Sequence, residues 1–136
     1  MGNQLAIMYH GTTRANARSI LANGFRESED GMLGRGVYLC RNLEDARRYP
    51  IGHPEHDKVV IKVEVNLGNV IVIDRQHHPR QETWHDSRYG PVYDTASVPA
   101  GCGMVQGGQE VCVWDASKMR VIESIPELPV QHCPLL

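Results

Sequence analysis

Three short stretches carry residue types that can do chemistry together. The first is Tyr9-His10-Gly11-Thr12. The second is Gly34-Arg35-Gly36-Val37-Tyr38, with another tyrosine, Tyr49, eleven residues on. The third is Glu110-Val111-Cys112-Val113-Trp114-Asp115. An imidazole at His10 can hydrogen-bond a ligand hydroxyl. Gly11 lets the backbone come close to a ligand. Tyr38 and Tyr49 offer two flat rings that can sandwich a planar group, a contact worth about 0.5–1.5 kcal/mol beyond burial. Glu110 can stabilise positive charge growing in a dry pocket, or take a proton from an acceptor hydroxyl. Each stretch alone is a weak signal. A histidine after a strand is often structural, Tyr38 and Tyr49 can simply cover a core, and Glu110 can be a strand-edge charge. Asp115 reads as a turn or cap residue.

The elements that must position these residues follow from the pattern. Ala6–Tyr9 predicts a short buried strand running into His10-Gly11. Thr12 or Thr13 can cap the next helix, whose apolar face is Ala15, Ala17, Ile20 and Leu21. Gly24 ends it, and Phe25 is expected to pack back on it. Residues 26–36 are polar and glycine-rich, a loop by composition. Val37–Leu39 predicts a strand. Asn42 can cap a second short helix over Leu43–Tyr49, stopped by Pro50. The clearest strand alternates Val59, Ile61, Val63 and Val65 with Val60, Lys62, Glu64 and Asn66. A turn at Gly68-Asn69 leads to a strand over Val70–Ile73. From Asp74 to Gly108 the chain reads as one long irregular loop, which is expected to be functional or mobile. Glu110–Trp114 and Met119–Ile122 predict the last strands. The fold class is α+β. A single domain over 1–125 is followed by a Pro-rich extended tail over 126–136.

Length and composition bound the function. The chain has 136 residues, 41% hydrophobic and 22% charged, with a net charge of -2, enough for one core. The charge balance gives no electrostatic case for a nucleic-acid platform, and no DNA-reading module is recognised. No apolar run reaches the roughly 18 residues of a membrane span, and Met1–Ile7 lacks a signal-peptide pattern. A cytoplasmic location and no membrane partner are therefore expected. Cys40, Cys102, Cys112 and Cys133 lack CxxC spacing and read as free thiols. His53 and His56, the pair His77-His78, His85, Cys102 and Cys112 raise a zinc site, but their irregular spacing argues for no metal. His77 and His78 are expected in a flexible loop or near the outer half of a ligand.

Taken in order, the three stretches resemble the His-Tyr-Glu triad of the ADP-ribosyltransferases related to diphtheria toxin and the poly(ADP-ribose) polymerases. The resemblance spans roughly residues 6–125. His10-Gly11-Thr12 is similar to the family's His-Gly-Ser/Thr, and Gly34-x-Gly36-Val37-Tyr38 to its Gly-x-Gly-hydrophobic-Tyr. Tyr49 falls at the offset of the stacking tyrosine, Tyr93-Asp94-Thr95 on an Asp-Ser element, and Glu110 on the catalytic glutamate. The resemblance implies a split antiparallel sheet flanked by two short helices, NAD as substrate and no metal. It implies catalytic roles for His10, Tyr38 and Glu110. NAD would be held by His10, Gly11, Thr12, Arg35, Gly36, Tyr38 and Tyr49, with Arg35 meeting the phosphates, since a guanidinium matches phosphate geometry. Arg14 and Arg18 have the same capacity but read as a solvated helix face. Two positions depart from the pattern. Ala46 replaces a hydroxyl residue that pairs with the carboxamide, which weakens NAD binding by the worth of about one hydrogen bond, roughly 0.5–1.5 kcal/mol. Val111 stands where a tyrosine is usual.

A closer resemblance is carried by Asp30-Gly31-Met32-Leu33-Gly34-x-Gly36-Val37-Tyr38, Thr83-Trp84-His85-Asp86, Tyr93-Asp94-Thr95 with Val98-Pro99, Cys102-Gly103-Met104-Val105 and Val113-Trp114-Asp115. These runs are similar to small single-domain proteins induced in fish by reovirus and interferon, which implies a link to innate antiviral response. The expected activity is transfer of ADP-ribose from NAD, in single units, to an unidentified protein or nucleic-acid acceptor. The alternative is a module that binds NAD or ADP-ribose without turnover. A third, weaker reading is hydrolysis of NAD by water.

Overall fold

A computed structural model describes residues 4–29 and 31–128. Strand β1 runs over Leu5–Thr13, longer than the expected Ala6–Tyr9. It extends because β3, Lys58–Asn66, pairs with it antiparallel at every position from Leu5↔Asn66 to Thr13↔Lys58. That ladder carries Gly11 inside the strand despite its weak strand preference. Val59, Ile61, Val63 and Val65 are each no more than 1% exposed, so the alternation predicted for β3 holds.

Helix α1, Arg14–Asn23, begins where Thr13 Oγ1 accepts the Asn16 N–H at 3.1 Å. Gly24 closes it at φ 87°, donating its N–H to the Ile20 carbonyl at 2.8 Å. The expected apolar face is only partly used. Ala17 is fully buried, whereas Ala15 and Leu21 are exposed. Helix α2 covers only Leu43–Ala46, shorter than the expected Leu43–Tyr49, and Asn42 makes no side-chain cap. Its Nδ2 donates instead to Asp45 Oδ2 at 3.4 Å.

The remaining strands are β2 (Val37–Cys40), β4 (Val70–Val72), β5 (Thr95–Val98), β6 (Glu110–Val113) and β7 (Met119–Ile125). They form a seven-stranded sheet in the order β4-β5-β6-β2-β1-β3-β7. All neighbours are antiparallel except β4 and β5, which are parallel. The fold is α+β, as expected. Its split lies between β1 and β2, which share a single register pair, Tyr9↔Cys40. On either side the ladders are fuller, so the sheet parts at this seam.

Residues 74–108 are not one structureless loop. They contain β5, whose four residues are all buried, and Trp84, which is 0% exposed. Trp84 packs with Leu33, Ile73, Ala96, Val98 and Cys112 in a second core and donates its indole N–H to the Leu33 carbonyl at 2.9 Å. The main core joins Met8, Leu39, Ile61, Val63, Val111 and Val113. Leu128, the third residue of the predicted tail, is buried in it and donates its N–H to Ser124 Oγ at 3.1 Å. The rest of that tail, from 129 on and including Cys133, lies outside the described residues. Among those described, no helix is long and apolar enough to cross a membrane.

Candidate active site

A cleft of about 650 Å³ opens at the seam of the sheet. Strands β1 and β2, one face of α1 and the residues after α2 wall it. His10, Gly11, Thr12, Gly36, Tyr38, Tyr49 and Glu110 all line this one space, although they lie up to a hundred residues apart in the chain.

His10 sits in β1, with Nδ1 2.8 Å from the Tyr38 carbonyl oxygen. A carbonyl can only accept, so Nδ1 carries the proton and donates. Phe25 meets the imidazole edge-on, with centroids 5.2 Å apart. Burial pushes the His10 pKa below its usual value, and the bond to Tyr38 opposes this. The ring is therefore neutral at neutral pH, with the Nε2 lone pair as its remaining acceptor.

Tyr38 alternates with its β2 neighbours, so its ring faces the cleft while Leu39 faces the core. Its hydroxyl donates to the Gly34 carbonyl and accepts the Leu33 N–H at 2.9 Å. Burial, above all, raises its pKa. A Cβ at Gly31 would fall 2.5 Å from this hydroxyl, so the glycine-rich loop is the shape that lets the phenol be pinned.

Tyr49 follows α2, and its hydroxyl donates to Glu110 Oε2 at 3.5 Å. Glu110 opens β6, where it pairs with Cys40 of β2 and Val98 of β5. Burial raises the Glu110 pKa. Arg48 lowers it, Asp45 raises it again, and the Tyr49 bond lowers it. The same surroundings push the Cys40 thiol up to about 12, through burial first and then the Glu110 charge. Cys40 is thus an inert neighbour.

Gly11 is small for a different reason than ligand approach alone. A Cβ there would lie 2.0 Å from the Ala46 carbonyl oxygen and 3.0 Å from Tyr49 Cβ. The glycine lets the end of α2 dock on β1 and so brings Tyr49 to the cleft. Gly36 plays a similar part against β6, where a Cβ would sit 2.4 Å from Cys112 Sγ.

Arg35 departs from its expected place. Its neighbour Gly36 faces the cleft, while Arg35 lies in a separate surface groove with Glu27, Trp114 and Asp115. There its guanidinium is 3.7 Å from Glu27 and 5.7 Å from the Trp114 ring centre. Arg35 lies in a bend ahead of β2, and its contacts with Glu27 and Trp114 hold it away from the ligand space. The arginine that does line the cleft is Arg26, with Asn16, Ser19 and Ile20 from α1. Sequence reading missed these. The signal was there for the helix, since Asn16, Ser19 and Ile20 stand at i, i+3 and i+4 and so share one face. Nothing marked Arg26 among the polar residues of its loop. Arg14 is engaged elsewhere, donating from Nε to the His56 carbonyl at 2.8 Å. His77 and His78 do not line the cleft; His78 Nδ1 accepts the Arg80 N–H at 3.0 Å. Asp115 is a cap, with Oδ1 accepting the Ser117 N–H at 2.9 Å.

A seam in a split sheet, walled by an imidazole, two phenols and a carboxylate, is the frame on which the comparison with known families bears. The model of the poly(ADP-ribose) polymerase catalytic domain matches residues 2–121. The chain belongs to this family. No curated protein matches it. Poly(ADP-ribose) polymerase domains use NAD as substrate, so the class of chemistry is ADP-ribosyl transfer. Both departures from the family pattern are buried: Ala46 and Val111 are each 0% exposed. Ala46 packs with Cys40 and Val60 beneath Tyr9 and Tyr49, and Val111 fills the main core. Among the described residues no group of three or more His, Cys, Asp or Glu side chains is placed to hold a metal ion.

Proposed function

We propose that the cleft binds NAD and transfers a single ADP-ribose unit to a macromolecular acceptor. The observation that carries this is the convergence of His10, Tyr38, Tyr49 and Glu110 on one cleft. In this reading the nicotinamide lies between Tyr38 and Tyr49, with its carboxamide at the Gly11 backbone. His10 Nε2 accepts a ribose hydroxyl. Thr12, Asn16 and Arg26 face the pyrophosphate and adenosine half. The bond from ribose carbon to nicotinamide nitrogen breaks, and its electron pair leaves with nicotinamide. Glu110, accepting a bond from a hydroxyl of that ribose, stabilises the cation that forms. The acceptor attacks the ribose carbon and gives its proton to Glu110. Single-unit transfer is favoured because the sequence shows no acceptor-binding insertion. The acceptor is a protein or nucleic acid, and the closer resemblance supports a role for the transfer in an innate antiviral response.

The test is transfer from labelled NAD by the native chain and by Glu110→Ala. Transfer is expected to fall by roughly 10²–10⁴ with folding intact. Unchanged transfer would sink the mechanism. A second reading, a module that binds NAD or ADP-ribose without turnover, draws on Ala46, which offers no hydroxyl to the carboxamide. Calorimetry beside the transfer assay separates the two: binding without product supports the module, and free ADP-ribose without a modified acceptor points to hydrolysis.

A further inference from the structure

The side chain of Arg48 is part of no predicted motif and does not line the cleft, yet it lies against Tyr49, which does. Its Nη1 donates to Gln106 Oε1 at 2.8 Å, which fixes it to the segment leading into β6. Its guanidinium carbon stands 5.9 Å from the centre of the Tyr49 ring. Its Nη2 is buried and has no hydrogen-bond partner among the described residues, and the nearest carboxylate, Asp45, is 3.7 Å away. The Asp45 carboxylate is itself turned toward the backbone. A Cβ at Gly107 would fall 2.1 Å from Asp45 Oδ1, and Asp45 Oδ2 holds the Gly108 N–H. The guanidinium thus shares a 3.7 Å ion pair with Asp45 while its Nη2 makes no hydrogen bond.

We propose that Arg48 is a positioning residue for Glu110: tethered to Gln106 and laid over Tyr49, it holds the phenol aimed at the carboxylate. This rests on the reading of Glu110 above. Tyr49 is the link, since its hydroxyl bonds Glu110 Oε2 while its ring carries the guanidinium. The charged and titratable groups acting on Glu110 are Arg48 and Asp45 from the α2 region, together with Tyr49. Cys40 faces it from β2. Of these, Arg48 is the one cation, and it opposes the effect of burial. An opposite charge close to a carboxylate favours its ionised form.

The experiment reads the Glu110 carboxyl directly, by carbon-detected NMR titration of the full chain, beside steady-state transfer. In Arg48→Met the titration midpoint of Glu110 moves upward. In Arg48→Lys, which keeps a charge but loses the fork, it stays nearer the native value. Gln106→Ala, which untethers the guanidinium without removing it, moves it part of the way and serves should the Met variant fail to fold. The transfer kcat of Arg48→Met falls about 10–100-fold, the scale of a small misplacement of a reacting group, with KM for NAD within about twofold. A Glu110 midpoint that is the same in the native, Arg48→Met and Gln106→Ala chains overturns the proposal. Should no variant, nor the native chain, transfer ADP-ribose, the reading of Glu110 as catalytic fails, while the titration still decides whether Arg48 sets its charge.

Discussion

His10 Nδ1 and the carbonyl oxygen of Tyr38 are 2.8 Å apart, a bond across the seam between β1 and β2 at the point where their ladder has all but ended. It closes the sheet with a side chain where the backbone does not. It also fixes the imidazole as the Nδ1–H tautomer, which leaves Nε2 for a ligand. Burial holds the His10 pKa below its ordinary 6.5. The unfolded chain therefore takes up this proton at a higher pH than the folded one. Stability from His10 is fully present above 6.5 and is lost as pH falls through the folded pKa. Thermal melts from pH 8 to pH 5 are expected to fall more steeply for the native chain than for His10→Gln. Parallel slopes would mean that the imidazole charges freely in the folded state.

Gly11 joins β1 to the end of α2. With the Ala46 carbonyl only 2.0 Å from the place of a new Cβ, backbone must move to admit alanine. Overpacking of this kind costs about 1–3 kcal/mol. Gly11→Ala is expected to lower the denaturant midpoint accordingly and to weaken NAD binding, because Tyr49 moves with α2. A variant of native stability and affinity would contradict the docking described.

Trp84 supports the cleft from behind. Its indole N–H bonds the Leu33 carbonyl, and the Leu33 N–H in turn bonds the Tyr38 hydroxyl. Trp84→Phe leaves that buried carbonyl without its partner, a loss of about 1–3 kcal/mol. Chemical denaturation reads the loss, and the fluorescence change on adding nicotinamide should shrink as the 31–34 turn loosens around Tyr38.

How much of this was legible in the sequence depends on how local the cause was. The alternation in β3 and the caps at Thr13 and Gly24 are written in neighbouring residues, and they were readable. Strand β5 was not, because Thr95-Ala96-Ser97-Val98 has no apolar run. Its polar members are buried against distant partners, with Thr95 Oγ1 donating to the Leu67 carbonyl at 2.7 Å and Gln109 Nε2 to Ser97 Oγ at 2.7 Å. Trp84 lies among Pro, Gly and charged residues that read as loop, and only its tertiary contacts make it core. At the site, motif order points to His10, Tyr38, Tyr49 and Glu110, and these four line one cleft. The side to which Arg35 points depends on its contacts with Glu27 and the distant Trp114, which composition does not reveal. Arg48 was missed because its role lies in contacts across 58 residues, to Gln106.

Glu110 carries a trade between function and stability that can be measured. Its pKa is raised by burial above the ordinary 4.5. A carboxyl raised in this way stabilises the fold below its unfolded pKa, and that contribution is lost as pH rises through the folded value. At neutral pH the buried charge is therefore a burden that Arg48 and Tyr49 only partly relieve. Glu110→Gln keeps the shape and removes the charge. It is expected to melt at or above the native temperature at pH 7, with the advantage shrinking toward pH 4 where the native carboxyl is protonated. Transfer should be lost at both pH values, as befits a group held in a strained electrostatic setting for its chemistry. Calorimetric melts at the two pH values, paired with the labelled-NAD assay, check this. A Gln variant that is less stable at pH 7 than at pH 4, relative to native, would show that the carboxylate is a net stabiliser and that its partners outweigh the cost of its burial.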